Sequence, residues 1–155
     1  MTPLIDAPIR NAARALITRE AQVLLLRKFD QAKGERFALP GGAQELGETL
    51  RQALERECRE EIGGDVRIRD LLHVADYFKP RETVPPTTRH VVEFLFACDV
   101  PESYRPRNGH KPDKHQVEVI WVPLETLADL PLLPRSLSTH LVGTAGSPVY
   151  LGTID

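Results

Sequence analysis

Gly42-Ala-Gln-Glu-Leu-Gly-Glu48-Thr-Leu-Arg-Gln-Ala-Leu-Glu-Arg56-Glu57-Cys-Arg-Glu60-Glu61-Ile-Gly63 is the stretch that decides how this chain is read. A glycine turn runs into a helix whose second half carries Glu57, Glu60 and Glu61. At 100° per residue the three carboxylates fall within about a third of the helix circumference. Glu57 and Glu61 are one turn apart, where like charges repel. Leu50, Ala53 and Leu54 form the apolar stripe of the same helix. Down the axis, Glu57 and Glu61 lie in line with Leu50 and Leu54, so a face that starts apolar ends acidic. An ordinary amphipathic helix keeps its stripe apolar throughout. A hard divalent cation, which prefers oxygen ligands, would turn the repulsion into binding. The alternative is a solvated, charge-rich helix with a Glu55–Arg59 pair. It accounts neither for Gly41-Gly42 nor for carboxylates in line with leucines.

The spacing Gly, five residues, Glu, seven residues, then Arg-Glu-apolar-any-Glu-Glu-any-Gly-apolar resembles the Nudix box of hydrolases that cleave nucleoside diphosphates linked to another moiety. Gly42, Glu48, Arg56, Glu57, Cys58, Glu60, Glu61 and Gly63 stand in register, and the one departure is Gly64 at the final apolar position. Phe37-Ala-Leu39-Pro40-Gly41-Gly42 resembles the family's approach to the box. Trp121-Val-Pro-Leu-Glu125-Thr-Leu127 resembles its segment near the end of the fold. Residues 10 to 130 can thus be laid on one such domain. A match at so many spaced positions is far more specific than a lone glycine motif.

The resemblance implies an α/β fold, an α/β/α sandwich with a mixed sheet and the box loop and helix at its edge. It implies Mg²⁺, with Mn²⁺ as a substitute, held by Glu57, Glu60, Glu61 and the backbone carbonyl of Gly41. Glu57 or a later acid, for which Glu118 is the candidate, would be the general base. Glu48 and Arg56 would pair and brace the loop, with Gly42 and Gly63 as structural glycines. Arg27, Arg36 and His115 are the candidate substrate contacts, each equally readable as a solvated strand end or loop residue. The loop from Arg105 to His115 is read as solvated, with flexible Asn108-Gly109; closure over a phosphate chain is the alternative. The histidines show no zinc-ligand spacing. Trp121, Phe94 and Phe96 are read as core.

Length and composition agree with one soluble domain. The chain has 155 residues, 41% hydrophobic and 27% charged, with a net charge of −2. That size supports a single core. The charge offers no basic field for nucleic acid, so no nucleic-acid partner is expected. No apolar run approaches the ~20 residues of a membrane span. The N-terminus lacks the pattern of a secretory signal, and two cysteines are too few for a disulfide framework. Cys58 and Cys98 are expected as buried free thiols, and a reducing cytoplasm as the compartment.

Hydrophobic patterning predicts strands over 9–17, 23–26, 37–39, 66–78, 89–100 and 116–122. It predicts the box helix from Glu48 or Thr49 to Ile62, stopped by Gly63-Gly64, with Thr18 to Ala21 as a hairpin turn. Pro123 opens a short helix to Ala128, and Pro134 a last helix toward Leu141 with Gly143 as its stop. The core is expected over 9–143, with 144–155 as a tail or a terminal strand. Lys79–Thr88 and Pro101–Lys114 are read as long loops.

The expected reaction is Mg²⁺-dependent hydrolysis of a pyrophosphate linkage in a small nucleotide substrate. Pro80, a short way beyond the box, leans toward ADP-ribose or another sugar nucleotide. Its spacing is slightly off, and the long N-terminal extension of many such relatives is absent. Nucleoside triphosphates and dinucleoside polyphosphates are the alternatives. A catalytically silent ligand-binding module of the same fold is the rival from another class, although such modules usually lose box glutamates. Many relatives dimerise, so a homodimer is a further expectation of the resemblance.

Overall fold

Side-chain alternation along two strands divides the core into two layers. The computed structural model describes residues 4–141 and 148–155. In β1 (Leu4–Arg19) and β2 (Gln22–Asp30), Ala13, Ala15, Ile17, Leu24 and Leu26 enter one buried cluster, whereas Leu16, Val23 and Leu25 enter another. Successive residues of a strand point to opposite faces, so a strand buried on both sides feeds two cores. The first cluster is covered by helix α1 (Leu50–Ile62) through Leu54, Cys58 and Ile62. The second is covered by Leu127, Leu137 and Leu141. These come from two short 3-10 helices, Leu124–Asp129 and Arg135–Leu137, and from the four-residue α2 (Ser138–Leu141). The result is the expected α/β/α sandwich, with one helical layer reduced to short turns.

The remaining strands are β3 (Gly34–Ala38), β4 (Gly41–Ala43), β5 (Arg67–Arg81), β6 (Thr87–Asp99), β7 (Gln116–Pro123), β8 (Leu132–Leu133) and β9 (Tyr150–Ile154). Hydrogen bonding runs β8-β3-β2-β1-β6-β5-β9, with β4 on β1 and β7 on β2. The sheet is mixed: β1 is parallel to β6 but antiparallel to β4 and β2. β1 meets β2 only at Thr18 and Arg19, while its longer upstream part runs beside β6. The sheet therefore curls, and a cleft opens upstream of the change of partner, along Arg10 to Arg14 of β1. Cys58 and Cys98 are both buried and unbonded. Among the described residues no helix is long and apolar enough to cross a membrane.

Several boundaries differ from the sequence expectation. β1 begins at Leu4 rather than residue 9; residues 4–11 pair with β6 yet are mostly exposed, so they carry no burial pattern to read. The loop expected over Lys79–Thr88 shrinks, because Lys79 to Arg81 pair with Thr87 to Arg89. That hairpin end projects past the core and is rich in proline and charge, which masks its strand character. The helix expected from Pro134 is a 3-10 turn leading into α2. Its expected stop, Gly143, lies outside the described residues. The terminal segment resolves as a strand, β9, parallel to β5.

The β1–β2 hairpin turns on Glu20 (φ 50°) and Ala21 (φ 61°). Positive φ at both central residues is the geometry that favours Asn-Gly, because a Cβ in the left-handed region is disfavoured. Both side chains are exposed. Replacing Ala21→Gly should therefore stabilise the protein by about 1 kcal/mol and raise Tm by roughly 2–4 °C. A lower Tm would show that the turn is held by something other than local backbone preference.

Candidate active site

Helix α1 is delimited at both ends by its own sequence. Thr49 Oγ1 accepts from the Gln52 backbone N–H at 3.1 Å, and Gln52 Oε1 accepts from the Thr49 N–H at 2.9 Å. This capping box satisfies two orphan donors and was readable as Thr-x-x-Gln. At the other end Gly63 takes φ 62°, a left-handed cap.

The carboxylates cluster because one guanidinium holds three of them. Arg56 binds Glu48 bidentately (Nε–Oε2 2.7 Å, Nη2–Oε1 3.0 Å). It also reaches Glu57 Oε1 at 3.0 Å, Glu60 Oε2 at 3.4 Å and the Ala43 carbonyl at 3.0 Å. Glu48 accepts the Glu45 N–H at 2.9 Å. The Arg56 bond, with that N–H behind it, lowers the Glu48 carboxyl to about 2. The loop 43–48 is thus tied to the middle of the helix.

Glu61 lies outside this network. It is 3% exposed, and its Oε1 accepts the Gly41 N–H at 2.8 Å. Burial pushes its carboxyl up to about 8, against the pull of that N–H. Burial also raises Glu57, partly offset by the hydrogen bond from Arg56. Two glycines permit this crowding. A Cβ on Gly42 would meet the Glu57 carboxylate at 2.6 Å, and one on Gly41 (φ 137°) would lie 2.0 Å from the Ala13 carbonyl oxygen. The Gly41 carbonyl accepts from Arg14 Nη1 at 3.0 Å, and Arg14 Nε donates to Glu93 Oε2 at 3.0 Å.

These groups line a cleft of about 480 Å³, within the size range of small-molecule sites. Glu57 and Glu61 line it, and Glu60 does not. Its walls carry seven cationic side chains (Arg10, Arg14, Lys28, Arg36, Lys79, Arg81 and Arg89) against four acidic ones, Glu57, Glu61, Glu93 and Asp113. In a chain of net charge −2 the cleft is a local positive field.

The sequence candidates divide accordingly. Gly41, Gly42, Glu57, Glu61 and Arg36 reach the cleft. Arg36 is already paired with Asp30. Arg27 and Glu118 do not line it: they face each other across β2 and β7 at 3.4 Å, and Arg27 also holds Glu35 at 3.1 Å. His115 does not line it either; it is exposed with φ 64°, and its carbonyl accepts from Phe29 N–H at 3.0 Å. The expected trio of box glutamates is split, and among the described residues no three acidic, histidine or cysteine side chains form a ready-made metal cage. Arg14 and Glu93 were missed. Their signal was a lone charge inside each of two apolar strand runs.

The loop over 101–115 has a different task from the one expected. It caps α1. The Gly109 and Lys111 N–H groups donate to the Glu61 and Glu60 carbonyls, each at 2.9 Å. Tyr104 Oη donates to the Ile62 carbonyl at 2.7 Å, and Arg107 Nη2 to that of Gly63. The last carbonyls of a helix need such partners when buried. Gly109 is not a flexible point: a Cβ there would sit 2.3 Å from the Glu60 carbonyl oxygen. The same loop explains Gly64, since a Cβ at 64 would lie 3.1 Å from the Tyr104 ring. Tyr104 occupies the space an apolar side chain would fill.

The sequence profile of the NUDIX domain matches residues 8–140, most of the chain. The chain belongs to the NUDIX family. An ADP-ribose pyrophosphatase of Methanocaldococcus jannaschii is 34% identical over 89 residues, covering 57% of this chain and 50% of that protein. A Bacillus subtilis relative is 33% identical over 98 residues, covering 63% of this chain and 43% of its own length. The chain thus spans about half the length of the curated relatives it matches. Among solved structures, a NUDIX hydrolase from Nitrosomonas europaea superimposes with TM-score 0.69 at 20% identity, covering 89% of this chain and 90% of that one. A MutT NUDIX hydrolase from Burkholderia pseudomallei gives 0.62 at 25% identity, covering 88% and 99%. The curled mixed sheet described above is therefore the Nudix fold.

Two stability outcomes follow from the bracing of α1. Gly109→Ala should cost about 1–3 kcal/mol in urea unfolding, because the helix-capping loop must move; an unchanged midpoint would mean the loop is not anchored there. The lowered Glu48 carboxyl contributes stability that is present above its ordinary 4.5 and lost as pH falls toward about 2. Glu48→Gln should flatten the acid limb of the stability–pH curve in that window, and identical curves would refute the assignment.

Proposed function

We propose that the protein hydrolyses the pyrophosphate linkage of a nucleoside diphosphate joined to a second moiety, with a divalent metal ion bound by Glu57, Glu61 and the Gly41 carbonyl. The observation that carries this is the placement of a buried carboxylate, Glu61, and a half-buried one, Glu57, at one end of a cleft otherwise rich in cations. A pyrophosphate is kinetically inert because its anionic oxygens repel a nucleophile. A cleft that neutralises them and holds a base removes that obstacle. The residues fit the metal: two hard carboxylate donors on one helix, Glu61 buried and held near neutrality, with the Gly41 carbonyl beside them, suit Mg²⁺ or Mn²⁺. When bound, the metal supplies charge neutralisation for the phosphoryl oxygens.

The chain's own residues do the rest. Water adds its oxygen to one phosphorus, the bridging P–O bond breaks toward the departing phosphate, and the proton of the water passes to a carboxylate. Glu57 is favoured over Glu118 for this role, since Glu57 borders the cleft while Glu118 is engaged by Arg27 away from it. Burial raises Glu57, which makes it a better proton acceptor. Arg56 positions it. Arg14 links the Gly41 carbonyl to Glu93 and so orients the backbone beside Glu61. ADP-ribose or a related sugar nucleotide is the substrate class favoured. The description of the Methanocaldococcus jannaschii relative supports it, as does a cleft with room for more than a phosphate chain.

Hydrolysis of ADP-ribose, other sugar nucleotides, nucleoside triphosphates and dinucleoside polyphosphates with Mg²⁺ in ¹⁸O-labelled water reports both substrate and phosphorus attacked. Negligible turnover throughout would sink the proposal. Glu57→Gln should lower kcat by about 10²–10⁴-fold with little change in KM; a loss confined to KM would remove Glu57 as the base. Glu61 must shed a proton to bind metal, because its carboxyl is neutral below about pH 8. Calorimetry of Mg²⁺ binding in buffers of different ionisation enthalpy should therefore show proton release at pH 7 that Glu61→Gln abolishes. Equal heats in all buffers would contradict it.

A further inference from the structure

We infer that the far end of the cleft is a second anion subsite, built to take a phosphate monoester carried by the substrate at some distance from the pyrophosphate that is cleaved. The inference rests on the hydrolytic reading above and narrows its substrate class. Arg10, Lys79 and Arg89 converge there from three adjacent strands. Lys79 and Arg89 are cross-strand partners in β5 and β6, and Arg10 of β1 is in register with Val91, two residues from Arg89. All three line the cleft.

Their charges are under-compensated. Asp6 is the acidic side chain in contact with them, but its Oδ2 already accepts from Arg81 at 2.9 Å and from Thr87 at 2.9 Å, and stands 4.0 Å from Arg89; Glu93 and Asp113 act on Lys79 only through space. Among the described residues Arg10 and Lys79 make no side-chain hydrogen bond or ion pair, and Arg89 Nη1 is buried with no hydrogen-bond partner. A buried guanidinium donor without an acceptor costs free energy that a ligand oxygen would recover. Burial, with Arg14 and Lys28 nearby, also pulls the Lys79 ammonium below its usual range. An anion bound there would relieve that crowding. Two or three cations on one group match a dianionic phosphate monoester better than a single carboxylate.

Distance separates this subsite from the pyrophosphate site. Glu93 marks the acidic end, because Arg14 joins it to the Gly41 carbonyl. Arg89 is four residues from Glu93 along β6, and Lys79 four from Ala75, the cross-strand partner of Glu93. At about 3.3 Å per residue the backbones at the two ends are roughly 13 Å apart, while the Lys79 side chain lies close enough to Arg14 and Lys28 to feel their charge. That span accommodates a pyrophosphate followed by a sugar. The extra phosphoryl group of a nucleoside triphosphate, attached directly to the pyrophosphate, would not reach it. The substrate class indicated is a nucleoside diphosphate sugar bearing a further phosphate on a ribose hydroxyl.

The test compares ADP-ribose with ADP-ribose 2′-phosphate, by steady-state hydrolysis with Mg²⁺ and by equilibrium binding, in the wild type and in Arg89→Ala and Lys79→Met. Thermal melting confirms that both variants are folded. The phosphorylated compound should have the lower KM and Kd in the wild type. Each variant should raise both constants for it about 10- to 100-fold more than for ADP-ribose. Equal constants for the two compounds in the wild type, or equal losses for both in folded variants, would overturn the subsite even with hydrolysis intact. Tighter, Arg89-dependent binding of the phosphorylated compound with turnover of neither would uphold the subsite and overturn the hydrolytic reading instead.

Discussion

Packing three carboxylates onto one turn and a half of helix is the constraint on which the site depends, and the protein meets it in two ways. Glu57 and Glu60 share Arg56, whose opposite edge is held bidentately by Glu48. Partly buried charge networks are favourable when every partner is satisfied, and Arg56 spends its donors on three carboxylates and the Ala43 carbonyl. Glu61 is handled by burial, so that in the metal-free protein the proton itself removes the repulsion. The first solution fixes the loop 43–48 to the helix, and the second leaves a protonated carboxyl at the wall of the cleft.

The curl of the sheet gives that helix its counterpart. β1 changes partners along its length, from β6 to β2, and the cleft lies upstream of that change, along Arg10 to Arg14. Arg14 and Glu93 meet across the parallel pair β1–β6 and reach Gly41, so backbone, cation and acid are joined at one point. Farther along the same strands the cleft is lined by Arg10 and Arg89, with Asp6 beside Arg89. A nucleotide lying in the cleft would have its charged groups matched in sequence along its length.

The far end of α1 shows how a loop with no secondary structure can be rigid by function. Residues 104–111 supply hydroxyl, guanidinium and backbone donors to four successive carbonyls, Glu60 to Gly63. Two of these belong to box glutamates, so the cap governs where those side chains stand. The close approach requires Gly109, and the packing of Tyr104 takes the volume that Gly64 leaves open. A position that departs from the family pattern is thus matched by a residue forty positions away.

The sequence alone determined the box helix, its glycine stop, the apolar runs of the central strands and the family. Each is encoded locally, in spacing, capping chemistry and side-chain alternation, and local signals survive without knowledge of partners. It could not separate Glu57 and Glu61 from Glu60, because helical projection places all three within one arc, while only the sheet opposite decides which face the cleft. Nor could it tell that Glu118 and Arg27 pair with each other across β7 and β2, or that His115 stands exposed in the turn before β7, all three outside the cleft lining. Arg14 and Glu93 escaped notice because they are seventy-nine residues apart, and nothing short of the parallel register of β1 and β6 brings them together. What the tertiary structure decided was which charges share one volume: charges act through distance in space, and the chain's order does not carry that distance.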